Sequence, residues 1–252
     1  HSWSAPTVGL LLLYGGLGIV EPRFLSPDNL RTILNQSAVA LTIGIGTTFV
    51  ILLGEIDLSV EGLMATASMV VGLLTANQLT GADLGYGAIA LAVLVCAFFG
   101  FVTGMLTTKV GIPSFMASFG MWFVGLGAAS LLFDLGGARA PRLLDQGLRS
   151  WAYPAVGGIM PMAYVSFGLL LLAWLFQRNT VLGRHIFAIG QDSATAEMCG
   201  VRVKPSKVLV FTLAGACYGL GGSMAALRSG VGAVAAGGGM VFVAISSVVI
   251  GG

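Results

Sequence analysis

Charged residues along the chain are confined to short clusters separated by long uncharged stretches. These stretches run 1–20, 32–54, 62–82, 84–108, 110–133, 150–177, 208–227 and 229–252. A transmembrane helix needs roughly 20 mostly apolar residues to cross about 30 Å of hydrocarbon, and all eight stretches reach that length. A membrane barrel would instead show segments of about ten residues with apolar/polar alternation. The leucine-rich runs at 10–13 and 169–175 do not alternate. The pattern therefore predicts an all-α fold, a polytopic transmembrane helical bundle. Its spans fall near 7–20, 30–53, 62–78, 87–107, 114–133, 156–176, 207–226 and 240–252. The first and last spans are short. The start at His1 and the hydrophobic pattern breaking off at Gly251-Gly252 lead us to expect a longer natural chain with further helices beyond residue 252.

Composition excludes the alternatives. Of 252 residues, 12 are Lys or Arg and 10 are Asp or Glu, so 9% are charged against 56% hydrophobic. An ordinary soluble domain carries about 25% charge, which rules out a soluble enzyme and a disordered chain. Three cysteines, Cys96, Cys199 and Cys217, are too few for a disulfide scaffold.

Two connections are longer than the rest. Residues 134–155 carry Asp134, Arg139, Arg142, Asp145 and Arg149 and read as a solvated loop. Residues 177–206 interleave Arg178, Arg184, His185, Asp192, Glu197, Arg202 and Lys204 with Phe187, Ile189, Ala194, Ala196 and Met198. Asp192 or Ser193 is placed to cap a short helix over 194–199, and Gly200 to stop it. Such a helix, outside the membrane with an apolar side, suits docking against another protein. Alternate loops carry six basic residues each: Lys109, Arg178, Arg184, Arg202, Lys204 and Lys207 against Arg23, Arg31, Arg139, Arg142, Arg149 and Arg228. The totals do not orient the chain, but the density at 178–207 and all three lysines point to that side as cytoplasmic. Within the spans, Gly100/Gly104 and Gly215/Gly219 are G-x-x-x-G pairs, extended by Gly221 and Gly222, and read as helix-packing motifs.

The segment GEIDLSVEG at 54–62 places three carboxylates between two apolar spans. Its structural reading is a turn, with Gly54 ending one helix and Asp57 or Ser59 capping the next, where acids favour the N-terminus. Its functional reading is an intramembrane carboxylate coupling an ion to transport, with Glu55, Asp57 or Glu61 as the site. No basic partner is visible in the neighbouring spans. Enzyme chemistry finds no support: His1 and His185 are the only histidines and lie near no metal-ligand pattern, Ser246 and Ser247 have no ordered triad partners, and no Walker A loop exists. ATP hydrolysis would have to come from a partner. Trp3, Trp122, Trp151, Tyr153 and Trp174 lie near span ends or within spans. Trp151 and Tyr153 suit an interfacial belt. Trp122 and Phe123 are open to a sugar-facing role, with packing as the plainer reading. Asn35, Gln36, Thr42, Thr47, Thr48, Ser68, Ser118 and Ser130 are the polar candidates for lining a solute route.

Four motifs in order resemble the permease subunits of bacterial sugar ABC importers of the ribose, xylose and arabinose type. GEIDLSVEG at 54–62 is similar to G-G-I-D-L-S-V-G, and KVGIPSFMASFG at 109–120 to K-x-x-x-P-x-F-[IV]-x-T-L-G. LGRHIFAIGQDSATAEMCGVRV at 182–203 resembles the family's G-R-containing loop, and AISSVVIGG at 244–252 resembles A-I-A-A-V-V-I-G-G. Together they cover nearly the whole chain. Departures are Glu55 and Glu61 where Gly is usual, Asp192 for Asn, and Glu197 and Cys199 in the third motif.

The resemblance implies one permease domain over 1–252, in the bacterial inner (cytoplasmic) membrane, importing a monosaccharide or related polar solute. It implies a second permease copy or homologue, two cytoplasmic ATPase subunits that use ATP and Mg, and a periplasmic or lipid-anchored sugar-binding protein. The 177–206 loop would be cytoplasmic and carry the coupling helix near 193–200. Gly183, Arg184, Gly190, Asp192, Ser193, Ala196, Glu197 and Gly200 are the residues implied to couple to the ATPase; Glu55, Asp57 and Ser59 lie in the family motif near the membrane boundary. No catalytic residue, metal or bound cofactor is implied in this chain. The competing expectation is an ion-coupled secondary transporter using the carboxylates at 55–61.

Overall fold

Each predicted span is helical over most of its length in the computed structural model, which describes residues 4–251. His1, Trp3 and Gly252, named above, lie outside the described residues. In chain order the helices are α1 (Ser4–Val20), α2 (Pro27–Leu52), α3 (Val60–Leu74), α4 (Tyr86–Met105), α5 (Ser114–Leu135), α6 (Gln146–Arg149), α7 (Pro161–Asn179), α8 (Val181–Gln191), α9 (Ser193–Met198), α10 (Val203–Ser229) and α11 (Met240–Gly251). A π-helical turn, Leu106–Val110, continues α4. Local signals set the ends. Ser26 caps α2 by accepting from the Asn29 N–H at 3.2 Å, and Pro27 opens it. Gly111 and Gly230 stop α4 and α10 in the left-handed conformation.

The fold is all-α, but length alone does not give eight spans. Among the described residues, four helices are long and apolar enough to cross a membrane, and α7 with α8, bent by 77°, makes a fifth if the pair is taken as one. α1, α3 and α11 are shorter apolar helices. For α3 the shortfall lies at its far end: the helix stops at Leu74 and residues 75–85 run on as non-helical chain, so the last part of the uncharged stretch 62–82 is not helix. Residues 231–239 are likewise non-helical ahead of α11.

α10 is the central helix, packed on α2, α3 and α4, and its contact with α4 is the most extensive in the fold. The two G-x-x-x-G pairs meet each other there. A Cβ on Gly100 would strike the Phe211 carbonyl, and one on Gly104 would lie 2.8 Å from Val208 Cα. On the facing helix, a Cβ on Gly215 would lie 3.2 Å from Gly100 Cα and one on Gly219 3.0 Å from Val93 Cα. The numbering runs in opposite senses, so the helices are antiparallel. α3 packs on α5 in the same way, where a Cβ on Gly125 would meet the Gly62 backbone at 2.5–2.9 Å. Lipid supplies no hydrophobic drive for helix association, so this backbone approach is the source of cohesion.

Several backbone amides of the non-helical segments are paired with neighbouring helices and loops, the kind of pairing that chain in hydrocarbon needs. Ser114 and Ser118 of α5 accept from the N–H groups of Ile56 and Leu58 at 3.3 and 3.0 Å. Ser68 accepts from the Ala233 N–H at 3.1 Å, and the Pro141 carbonyl from Gly232 at 2.8 Å. The connection 134–155 is not the solvated loop its charges predict. Leu143 and Leu148 are fully buried, Leu143 and Leu144 donate backbone hydrogen bonds to Gly230 and Ala76, and Pro141 sits between Gly72 and Gly232. Asp134, Arg139 and Arg142 are exposed, Arg149 packs against Gly230, and Leu143 and Leu148 seal the end of the bundle opposite α9.

Gly100→Ala or Gly215→Ala should therefore cost about 1–3 kcal/mol as an overpacked contact, whereas Gly127→Ala, with open space around it, should be neutral. Thermal unfolding of the purified variants in detergent checks the contrast.

Candidate functional site

The motif carboxylates separate into three environments. Glu55, just past the end of α2, forms an ion pair with Lys207 in the second turn of α10; both side chains are largely buried. Sequence inspection of the neighbouring spans missed this basic partner because it lies 152 residues away. Asp57 is 2% exposed. Its Oδ1 accepts from the Ser59 hydroxyl at 2.6 Å and the Ser59 N–H at 2.9 Å, and the Tyr218 hydroxyl of α10 interacts with the same carboxyl group. Thr47 of α2 joins through its hydroxyl, 3.3 Å from that of Tyr218. Ser59 precedes α3 but makes no cap bond of its own; it turns back to Asp57. Glu61 lies in the first turn of α3, its backbone against Gly237.

The second group, 183–200, gathers at the end of the bundle where α2 finishes and α10 starts. Thr180 caps α8 by accepting from the Gly183 N–H at 3.0 Å. Gly183 is where α8 folds back on α7: a Cβ there would lie 2.6 Å from Gln177 Cα. Gly190 sits against the Leu52 carbonyl so closely that a Cβ would collide with it. Arg184 faces solvent while Gly183, Ile186 and Ile189 are buried on the opposite side of α8. The sequence reading gave this stretch no helix of its own. The Thr180 cap and the three-residue spacing of Gly183, Ile186 and Ile189 are the signals that mark it.

Asp192 caps α9, accepting from the Ala194 N–H at 2.9 Å and from the Thr195 hydroxyl. The Thr195 hydroxyl first, then the Ala194 and Thr195 backbones, hold its carboxyl below the usual carboxylate range. Ser193 begins the helix, Ala196 is its buried contact, and Glu197 and Met198 are exposed. Gly200, at φ +84°, ends the unit, and the Val201 N–H returns to the Ala196 carbonyl at 3.0 Å.

Most polar candidates serve inside the bundle. The hydroxyls of Thr42 and Ser166 lie 2.8 Å apart between α2 and α7. Asn35 donates to the Gly158 carbonyl at 3.1 Å and accepts from the Met160 N–H at 2.7 Å. Thr47, Ser68 and Ser118 have the partners given above. Thr48 bonds its own helix at the Gly44 carbonyl, Gln36 accepts from Arg228 through its carbonyl, and Ser130 is exposed. Trp122 and Phe123 stack with centroids 5.7 Å apart beside Phe119, and the two phenylalanines lie on the outer face of α5. Among the described residues, no group of three or more His, Cys, Asp or Glu is placed to hold a metal ion.

The model of a family described as "Branched-chain amino acid transport system / permease component" matches residues 29–252. Ribose import permease protein RbsC of Escherichia coli (strain K12) is 29% identical over 249 residues, covering 97% of this chain and 75% of the relative. D-allose transport system permease protein AlsC of the same strain is 30% identical over 244 residues, covering 96% and 73%. Autoinducer 2 import system permease protein LsrC of Yersinia pseudotuberculosis serotype O:3 (strain YPIII) is 29% identical over 249 residues, covering 97% and 68%. No solved structure matches.

Asp57→Ala should destabilise the chain by about 1–3 kcal/mol, because it leaves the buried Ser59 and Tyr218 donors without their acceptor; Asp57→Asn, which keeps one, should cost less. Unfolding midpoints of the two variants test the ranking. The depressed Asp192 carboxyl gives its cap in full above the unfolded-state value and loses it as pH falls through the lower folded value. Protection of the α9 amides from hydrogen exchange, relative to the intrinsic rate at each pH, should therefore hold down through mildly acidic pH and fall only below the ordinary carboxylate range.

Proposed function

The chain belongs to the permease family that contains the ribose, allose and autoinducer 2 import permeases, and from this premise we propose that it is the membrane subunit of an ATP-driven importer. The cargo is a monosaccharide or a related small polar solute. As a permease component it is a transport subunit rather than an ATPase, a multi-pass protein of the bacterial inner membrane. ATP and Mg are handled by two cytoplasmic ATPase subunits, a second permease copy or homologue completes the route, and a periplasmic or lipid-anchored binding protein delivers the solute.

The observation that carries this reading is the α8–α9 unit. It is anchored by its glycines to the bundle end and presents Arg184, Phe187, Glu197 and Met198 outward. A helix that is fixed on its bundle side and free on its outer side can receive force from a moving partner and pass it inward. Gly183 and Gly190 set the lever against α7 and α2, Asp192 and Ser193 start α9, Ala196 seats it and Gly200 releases the chain toward α10. This end also holds Lys109, Arg202, Lys204 and Lys207, as a cytoplasmic face requires. The opposite end offers Arg31 and Arg228 around an open cleft with Asp28 and Asn35, a polar platform for the binding protein.

Eight traverses fit the same picture. α3, at about 1.5 Å per residue, spans about 22 Å, and the extended segment before it supplies the remaining depth. Alternating access then requires the helices to rock as packed bodies while polar groups replace the solute's water.

Uptake of labelled sugars into sealed vesicles containing this subunit with its ATPase and binding protein is the test. ATP-dependent accumulation should survive collapse of the ion gradients; uptake without the ATPase, abolished by an ionophore, would overturn the reading in favour of the carboxylates at 55–61. Glu197→Lys should lower uptake and ATPase coupling while membrane insertion stays normal, measured in the same vesicles.

A further inference from the structure

Resting on the permease reading, we propose that the Glu55–Lys207 ion pair is a clasp that ties the extended segment 53–59 to the α8–α9 unit, making Glu55 and Lys207 positioning residues for transport.

Two routes lead from α9 to this segment. The first is backbone contact: Gly190 at the end of α8 lies against the Leu52 carbonyl, immediately before the segment. The second runs through α10. The Val201 N–H bonds the Ala196 carbonyl of α9, Arg202 leads into the first turn of α10, and Lys207 reaches across from the next turn to Glu55. The segment in turn holds inner elements. Its amides are fastened to Ser114 and Ser118 of α5, and Asp57 meets Ser59 at the start of α3 and Tyr218 midway along α10. A displacement of α9 therefore reaches α3 and α5 through residues 53–59, and the ion pair closes the second of the two routes.

The chemistry of the pair suits that role better than a stabilising one. Side-chain exposure is 19% for Lys207 and 15% for Glu55. Charges so far removed from water lose solvation that their attraction barely repays, and register or switching is the best-attested use of such pairs. Glu55 also stands where the resembling motif usually has Gly, so the pair is a departure from that motif.

The test uses the assembled complex of permease, ATPase and binding protein in proteoliposomes, comparing solute taken up per ATP hydrolysed. Glu55→Gln with Lys207→Met removes both charges and leaves neither buried alone. Uptake per ATP should fall about tenfold, within the range of ordinary coupling energies, with the unfolding midpoint unchanged. Exchanging the charges, Glu55→Lys with Lys207→Glu, should restore the ratio toward wild type. An unchanged ratio in the neutral pair, a failure of the exchange to restore it, or loss of the folded protein in the neutral pair would each overturn the clasp; the last would assign the pair to the fold. Absence of ATP-dependent uptake in the wild-type complex would instead overturn the permease reading itself.

Discussion

Helices in a bilayer gain nothing from hiding apolar surface from one another, because the lipid is as apolar as they are. Cohesion has to come from atoms approaching closely, and in this chain that means backbone against backbone. The Gly100–Gly104 face of α4 on the Gly215–Gly219 face of α10, and Gly62 on Gly125, set the spacing of the central helices. With α10 in this position, Tyr218 meets Asp57 and Thr47, and Lys207 meets Glu55 just past the end of α2. The polar details of the site depend on a packing contact that contains no polar side chain.

The non-helical segments 53–59 and 231–239 are the second constraint. Chain that leaves the helix inside hydrocarbon must find hydrogen-bond partners elsewhere, and here they are serine hydroxyls on neighbouring helices. Ser68, Ser114 and Ser118 resemble solute-lining groups in composition but act as anchors for backbone amides. These hydroxyls are therefore already engaged inside the bundle.

Local features were legible in the sequence: the apolar stretches, both G-x-x-x-G pairs, the Asp192 cap and the Gly200 stop all act over a few residues, and composition and spacing report them directly. What stayed hidden was long-range. The partner of Glu55 is set by the register of α2 against α10, and the burial of Leu143 and Leu148 by the shape of the bundle end. The end of α3 differs from the expected span because hydropathy cannot distinguish apolar helix from the uncharged non-helical chain at 75–82. α8 was within reach, since its cap and its three-residue apolar spacing are local, but the charges around it read as loop.

The separation of the clasp partners has a consequence for biogenesis. A ribosome working at about 5–20 residues per second needs on the order of ten seconds to make the 152 residues between Glu55 and Lys207. Throughout that interval the early helices enter the bilayer with a carboxylate lacking its counter-ion and a short α3 lacking α10 beside it. The segment 53–59 thus waits for α10 before its ion pair and its contact with Tyr218 can close.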